Sequence, residues 1–209
     1  NLIAPPFYWG INNMTGAFPG SFTVRQSTMK DLIYDILNSL SRWGVKYVFN
    51  INHHGDPVHC NTLFEAIKEA RYDFGIRAFS LLSEFESKRF GLSEKDNHIL
   101  VYQKKNSNDY TSYKKEDEDT GLKDEIKVAA KDSIMTAKKK DSVDDFIDIH
   151  AGAGETSMML KYFPDQVNTE IADTLKPTNL KFEDLVQWRK GWADARKITP
   201  GCYFGSPAD

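Results

Sequence analysis

The spacing of apolar residues changes repeatedly between residues 27 and 82, and this alternation constrains the fold more than any other feature of the sequence. A helical spacing comes first, because apolar side chains recur three and four residues apart up to Gly44. Residues 45–51 (VKYVFNI) then form a short β-branched and aromatic run that is typical of a strand. The helix is expected to begin near Ser27 and Thr28, and its apolar face comprises Leu32, Ile33, Ile36, Leu37, Leu40 and Trp43.

The same alternation continues after the strand. Residues 61–72 have helical spacing, with Leu63, Ala66, Ile67 and Ala70 on the inward face, and residues 76–82 form the next strand-like run. Strands and helices that alternate with short links predict an α/β fold, in which a mostly parallel sheet carries helices on both faces. Ligands of such sheets bind beyond the carboxyl ends of the strands, where residues 52–57 follow the first strand.

The composition excludes several functional classes. The chain of 209 residues has 27 basic and 30 acidic residues and a formal net charge of −3, so a nucleic-acid partner is not expected. No apolar run of about 18 residues is present, so no membrane partner is expected either. Two cysteines make no disulfide scaffold, which favours a cytoplasmic location. Because the sequence starts at Asn1 inside an apolar run, we expect that an N-terminal part precedes it.

A charged stretch interrupts the pattern at about 84–145. Residues 101–140 hold ten lysines and eight acidic residues with few large apolar side chains. One interpretation is a solvated insertion with a helix at 121–137, and another is a lid or a partner-docking arm. We therefore expect a single domain over 1–209 with a lysine-rich insertion at about 84–145.

Two polar clusters could carry chemistry. In the first, His54 and Asp56 are two residues apart after a strand, and imidazole with carboxylate suits zinc, manganese or iron. The alternative is a turn whose side chains cap the following helix. The adjacent His53 is expected to point elsewhere.

In the second cluster, Asp148 and His150 are expected on one face of an extended segment, where the acid can orient the imidazole for proton transfer. Gly152 is expected to leave space for a ligand. Glu155 follows at a helix start, where its simpler role is to favour the helix dipole.

Three segments resemble the creatininase (creatinine amidohydrolase) family. Residues 148–167, DIHAGAGETSMMLKYFPDQV, are similar to its D-x-H-A-G-x-x-E-T-S-x-x-L…P-x-x-V signature. Residues 50–57, NINHHGDP, resemble its N-G-H-G-G-N segment, and residues 17–24, AFPGSFTV, resemble its F-P-G-T element. The resemblance covers about residues 3–82 and 146–167.

The resemblance implies a three-layer α/β/α fold with two divalent metal ions and hydrolysis of amide-type C–N bonds in a small-molecule substrate. It implies that His54 and Asp56 bind metal and that His150 handles substrate and protons, with Glu155 beside the site. It also implies a homo-oligomer, often a hexamer. The expected reaction is attack of a metal-activated water on a small cyclic amide or formamide-like substrate, with His150 oriented by Asp148 or Glu155.

The sequence also departs from the family pattern. His53 and Pro57 replace Gly and Asn of the family segment, Asn12 and Thr15 stand where Ser and His are common, and the E-x-H…D metal motif would precede Asn1. These differences leave two alternatives open. One is a catalytically degenerate binding protein with the same fold, and the other is a hydrolase with a single metal ion.

Overall fold

The computed structural model describes residues 2–102 and 146–208. The chain divides into two compact units, Asn1–Thr111 and Ser112–Asp209, and each is described by itself. The predicted helix at 121–137 lies outside the described residues, as does most of the lysine-rich stretch.

The first unit is built on a parallel sheet of three strands. Its elements are α1 (Gln26–Arg42), β1 (Tyr47–Asn50), α2 (Pro57–Phe74), β2 (Arg77–Ser83), α3 (Glu84–Phe90) and β3 (Ile99–Tyr102). The strand order is β1-β2-β3, with Tyr47 opposite Arg77 and Ser80 opposite Ile99. The predicted α/β fold class is confirmed.

Buried apolar residues of α1, α2 and β2 make the core of this unit. They are Met29, Leu37, Leu63, Ile67, Ala70 and Ala78, together with Ile11 and Ile76. A second cluster joins the start of α2 to the sheet through Cys60, Phe64, Leu82 and Ile99. The second cluster holds the first turn of α2 against the sheet through Cys60.

The boundaries differ from the predicted ones at informative places. Helix α1 begins at Gln26 without a side-chain cap, so Ser27 and Thr28 lie inside its first turn. Helix α2 begins at Pro57 rather than near residue 61, because Asp56 caps it. Residues 84–102, which were expected in the insertion, form α3 and β3, and β3 pairs with β2.

The second unit, described over 146–208, contains only short helices. They are α4 (Ala153–Tyr162), α5 (Thr169–Ala172), α6 (Phe182–Trp188) and α7 (Trp192–Ile198), together with a short 3-10 helix at Pro164–Gln166. Its buried apolar residues include Leu185, Trp188, Ala195 and Phe204. Of all the helices in the described ranges, none combines the length and the apolar character of a membrane span.

Candidate functional site

The 52–56 loop follows the carboxyl end of β1 and leads directly into α2. The Asn52 amide shapes it, because its Nδ2 donates to the His54 carbonyl at 2.9 Å and its Oδ1 accepts from the His54 backbone N–H at 3.3 Å. Side chain–backbone bonds of this kind stabilise turns locally. As predicted, the loop follows the carboxyl end of a strand in a parallel sheet.

Asp56 is buried at the start of α2, with a relative exposure of 1%. Its Oδ1 accepts from the backbone N–H groups of Val58 and His59 at 2.9 and 3.3 Å, which is a helix cap. Its Oδ2 accepts from the backbone N–H of Asn13 at 2.8 Å. These contacts show that Asp56 caps α2. Its second expected role, metal binding, stays a prediction.

The His54 ring makes a hydrogen bond through Nε2, and its Nδ1 could accept a ligand. Its Nε2 lies 2.9 Å from the carbonyl oxygen of Ile11, so the tautomer that donates there carries its lone pair on Nδ1. Metal-binding histidines commonly donate their second ring N–H to a backbone carbonyl in this way. The ring's environment therefore suits a metal ligand.

His59 is a buried residue of this cluster that the sequence analysis missed. Its Nδ1 accepts from the Ile11 backbone N–H at 3.2 Å, and its ring meets that of His54 edge-on at 4.8 Å. Burial lowers the pKa of His59 to about 4, and the nearby His54 acts in the same direction, against the effect of Asp56. His59 is thus neutral near pH 7, as its acceptor role requires. Its position in the first turn of α2, five residues after His54, was the available signal.

In the second unit, the backbone around His150 is fixed by an antiparallel bridge to Phe204. Within the described residues, the segment that was expected to be extended around Asp148 and His150 makes this single β bridge rather than a longer strand. The His150 ring lies 5.9 Å from that of the buried Trp188, whose Nε1 donates to Thr199 at 2.8 Å. The half-buried imidazole therefore packs against an aromatic ring that is itself held by a hydrogen bond.

Glu155 lies in the first turn of α4 and contacts the same turn as His150. Its Oε2 accepts the backbone N–H of Ala151 and lies 3.9 Å from His150 Nδ1. Glu155, rather than Asp148, is therefore the acid seen beside the His150 ring.

The Asp148 carboxylate instead binds the backbone of the turn that follows it. Its Oδ2 accepts from the Ala153 N–H at 2.8 Å. A β-carbon on Gly152 would lie 1.7 Å from Asp148 Oδ1, and one on Gly205 would lie 2.4 Å from it. The expectation that Gly152 leaves space for a ligand is wrong, because the Asp148 carboxylate fills that space.

An open groove begins beside this turn in the second unit. Ala151 and Glu155 form one end, and Met159, Ile171 and Leu175 contribute apolar side chains further along. The groove is large enough to admit a small molecule next to the Glu155 carboxylate.

Within each unit the structure brings part of the predicted site together. His54 and Asp56 share the 52–56 loop in the first unit, and Asp148, His150 and Glu155 share one turn in the second. In residues 2–102 and 146–208, no group of three or more His, Cys, Asp or Glu side chains is arranged to hold a metal ion.

Comparison with known proteins identifies the family. The family model described as creatininase, creatinine amidohydrolase, matches residues 1–209. The chain belongs to the creatininase family. No curated protein and no solved structure matches it.

Membership in the creatininase family supports an amidohydrolase-type function, that is, hydrolysis of C–N bonds. The family is generally metal-dependent, so the donor atoms on the 52–56 loop bear on whether this chain can hold a metal. His54 Nδ1 fits a divalent ion, because Ile11 holds the opposite nitrogen. Asp56 Oδ2 accepts one backbone N–H and retains acceptor capacity. The two residues suit part of a metal site rather than a complete one.

Proposed function

We propose that this creatininase family member is a metal-dependent amidohydrolase that opens a C–N bond of a small cyclic amide or formamide-like substrate. The family match over the whole chain carries the proposal. The Ile11 carbonyl at His54 Nε2 supports it further, since that contact leaves Nδ1 for a metal ion.

His54 and Asp56 would hold the metal, through Nδ1 and Oδ2. When bound, a divalent ion such as zinc, manganese or iron supplies an activated water and polarises the substrate carbonyl. Two such ions need more ligands than these two residues provide. Ile11 keeps the His54 tautomer fixed, and the Asn13 N–H orients the Asp56 carboxylate.

His150 is proposed to give a proton to the nitrogen that leaves. An amine is expelled as a neutral group only when it gains a proton, and a positioned imidazole provides one near neutral pH. Glu155 lies 3.9 Å from the ring, and the bridge to Phe204 fixes the backbone beneath it. Asp148 holds the following turn through the Ala153 N–H.

The experiment is a metal-dependence assay on a panel of cyclic amides and formamides. Protein stripped with a chelator should lose hydrolysis, and it should regain it on addition of zinc, manganese or iron salts. Hydrolysis that survives complete removal of metal, checked by elemental analysis, would contradict the proposal. We also propose that the protein is a homo-oligomer that acts on a small molecule. Light scattering, which measures the mass of the assembly, tests the oligomeric state.

A second candidate is a binding protein that keeps the fold without turnover. The contacts of Asp56 favour it, because N–H donors from Asn13, Val58 and His59 already give the carboxylate the structural role of a helix cap. Metal-loaded protein that binds members of the amide panel but hydrolyses none of them would support this candidate.

A further inference from the structure

Arg89 brings a positive charge directly onto the 52–56 loop. Its Nη2 donates to the carbonyl oxygen of Gly55 at 2.8 Å. A β-carbon built on Gly55 would lie 3.6 Å from Arg89 Nη1, so the guanidinium lies over the residue that separates His54 from Asp56. The charge is therefore placed at the proposed metal-binding loop.

The contacts of α3 determine where the Arg89 side chain lies. Ser83 and Glu86 form a capping box at the start of the helix, which follows β2 without a linker. The Arg89 guanidinium stacks on the Phe90 ring at 5.0 Å, and Phe90 packs edge-on against Phe64 of α2 at 5.3 Å. Since both ends of α3 are attached to the core, Arg89 is held by the fold rather than extended into solvent.

Among the residues that the structure describes, the Arg89 guanidinium retains most of its hydrogen-bonding capacity. It has five N–H donors, and the Gly55 carbonyl takes one of them. Within residues 2–102 and 146–208, no carboxylate lies within 4.0 Å of Arg89. The nearby Glu86 accepts instead from the backbone N–H and the hydroxyl of Ser83, at 2.8 and 2.7 Å.

The influence of this charge extends to the start of α2. Burial raises the pKa of the Cys60 thiol to about 11, and the Arg89 charge acts against that increase. Cys60 Sγ in turn donates to the His54 carbonyl at 3.1 Å. Arg89 thus faces the loop and the first turn of α2.

We propose that Arg89 determines specificity by binding a carboxylate that the amide substrate carries. This inference rests on the proposed amidohydrolase function and names its substrate class: cyclic or formyl amides with one carboxylate. A guanidinium matches the planar carboxylate with parallel N–H bonds, and a single arginine balances a single negative charge. Its place over Gly55 would hold such a substrate beside His54.

The kinetic test uses pairs of amides that differ in the carboxylate alone. The pairs are 2-pyrrolidone with 2-pyrrolidone-5-carboxylate, and N-methylformamide with N-formylglycine. In Arg89→Gln, the KM of the carboxylate-bearing member should rise relative to its neutral partner by about 10–100-fold, as expected for a lost charged hydrogen bond. Arg89→Lys, which keeps the charge, should recover part of that ratio.

Arg77→Gln is the matched control. The Arg77 guanidinium also makes one hydrogen bond, to the Tyr47 hydroxyl at 2.7 Å, and stacks on an aromatic ring at 5.3 Å. It lies at the opposite end of β2 from the residues that lead into α3. The KM ratio should be the same in Arg77→Gln as in the wild type. A fall in kcat for both members of each pair in Arg89→Gln, with the KM ratio unchanged, would overturn the proposal and leave Arg89 only as a support of the loop.

A binding measurement separates this inference from the proposed function. Butyrate has one carboxylate and no amide bond, so it can be titrated into ¹⁵N-labelled protein while the arginine Nε–H resonances are followed. A saturable shift of the Arg89 resonance, without one at Arg77, would support the carboxylate site even if no amide were hydrolysed. Absence of a shift at Arg89 would overturn it, whatever the hydrolysis assay gives.

Discussion

The α-carbon of Gly10 lies against the imidazole of His59, so that a β-carbon at residue 10 would come within 2.8 Å of Nδ1 and 2.9 Å of Cε1. The same Nδ1 accepts the backbone N–H of the next residue, Ile11. Glycine at this position therefore allows the N-terminal segment to reach α2.

Gly10→Ala is expected to lower the free energy of unfolding by about 1–3 kcal/mol, the usual cost of overpacking a buried contact. The added methyl group must displace the His59 ring or the Ile11 hydrogen bond. Chemical denaturation of the two proteins measures the difference. Gly154→Ala is the control, because nothing lies within 4 Å of its β-carbon position and alanine favours the helix there. Equal stability of Gly10→Ala and the wild type would show that this contact is not tight.

Acid is expected to destabilise the first unit through His59. Its pKa is near 6.5 in the unfolded chain and about 4 in the folded one, so the unfolded state binds more protons between these values. The free energy of unfolding should fall as pH falls from 6.5 towards 4, by about 3 kcal/mol at most, and should not fall further from this cause below 4. Urea denaturation at several pH values measures the slope.

His59→Gln should flatten that slope, whereas the exposed His53→Gln should preserve it. Flattening is expected to be partial, because burial also lowers the pKa of His98. An identical slope in His59→Gln and the wild type would show that His59 is not the group responsible.

His54→Ala is expected to reduce the metal content of folded protein, because it removes the imidazole Nδ1 that we propose as a ligand. Elemental analysis measures the metal, and circular dichroism confirms the fold. His53→Ala provides the neighbouring control, because the His53 side chain is exposed. The metal content of this variant should match that of the wild type. Unchanged metal stoichiometry in folded His54→Ala would remove His54 from the ligand set.

His150→Asn is expected to reduce turnover by about 10²–10⁴-fold, the loss typical of a proton-transfer group. Its melting temperature should change little, because the bridge to Phe204 uses backbone atoms. Asp148→Ala should show the opposite pattern, with a lower melting temperature, since it leaves the Ala153 N–H without its acceptor. A His150→Asn protein that melts early but turns over normally per folded molecule would assign His150 a structural role.

Local patterns in the sequence are sufficient to predict α1, β1, α2 and β2, whereas α3 and β3 lie in the stretch that the charge pattern assigns to an insertion. Leu63, Ala66, Ile67 and Ala70 were assigned to one face of a helix, and all four are buried in α2. The start of that helix differs from the predicted one, because the spacing of apolar residues does not record the cap at Asp56 and Pro57. The pair is in fact a cap followed by the proline that a first helical turn tolerates.

Contacts between distant residues could not be predicted in this way. The pairing partner of His150 is Phe204, far along the chain, so nothing near residue 150 distinguishes a bridge from a strand. The burial of His59 depends on the N-terminal segment, and the position of Arg89 depends on how α3 packs. These features arise from tertiary structure, which a spacing pattern does not record.

The backbone of Ile11 lies between two imidazoles, because its N–H donates to His59 and its carbonyl oxygen accepts from His54. These contacts join residues 48 and 43 positions apart, and the chain between them contains α1 and β1. Closing a segment of that length costs chain entropy. Consequently the orientation of His54 depends on long-range contacts, and a chain that has formed only its local helices would present this imidazole without a fixed direction.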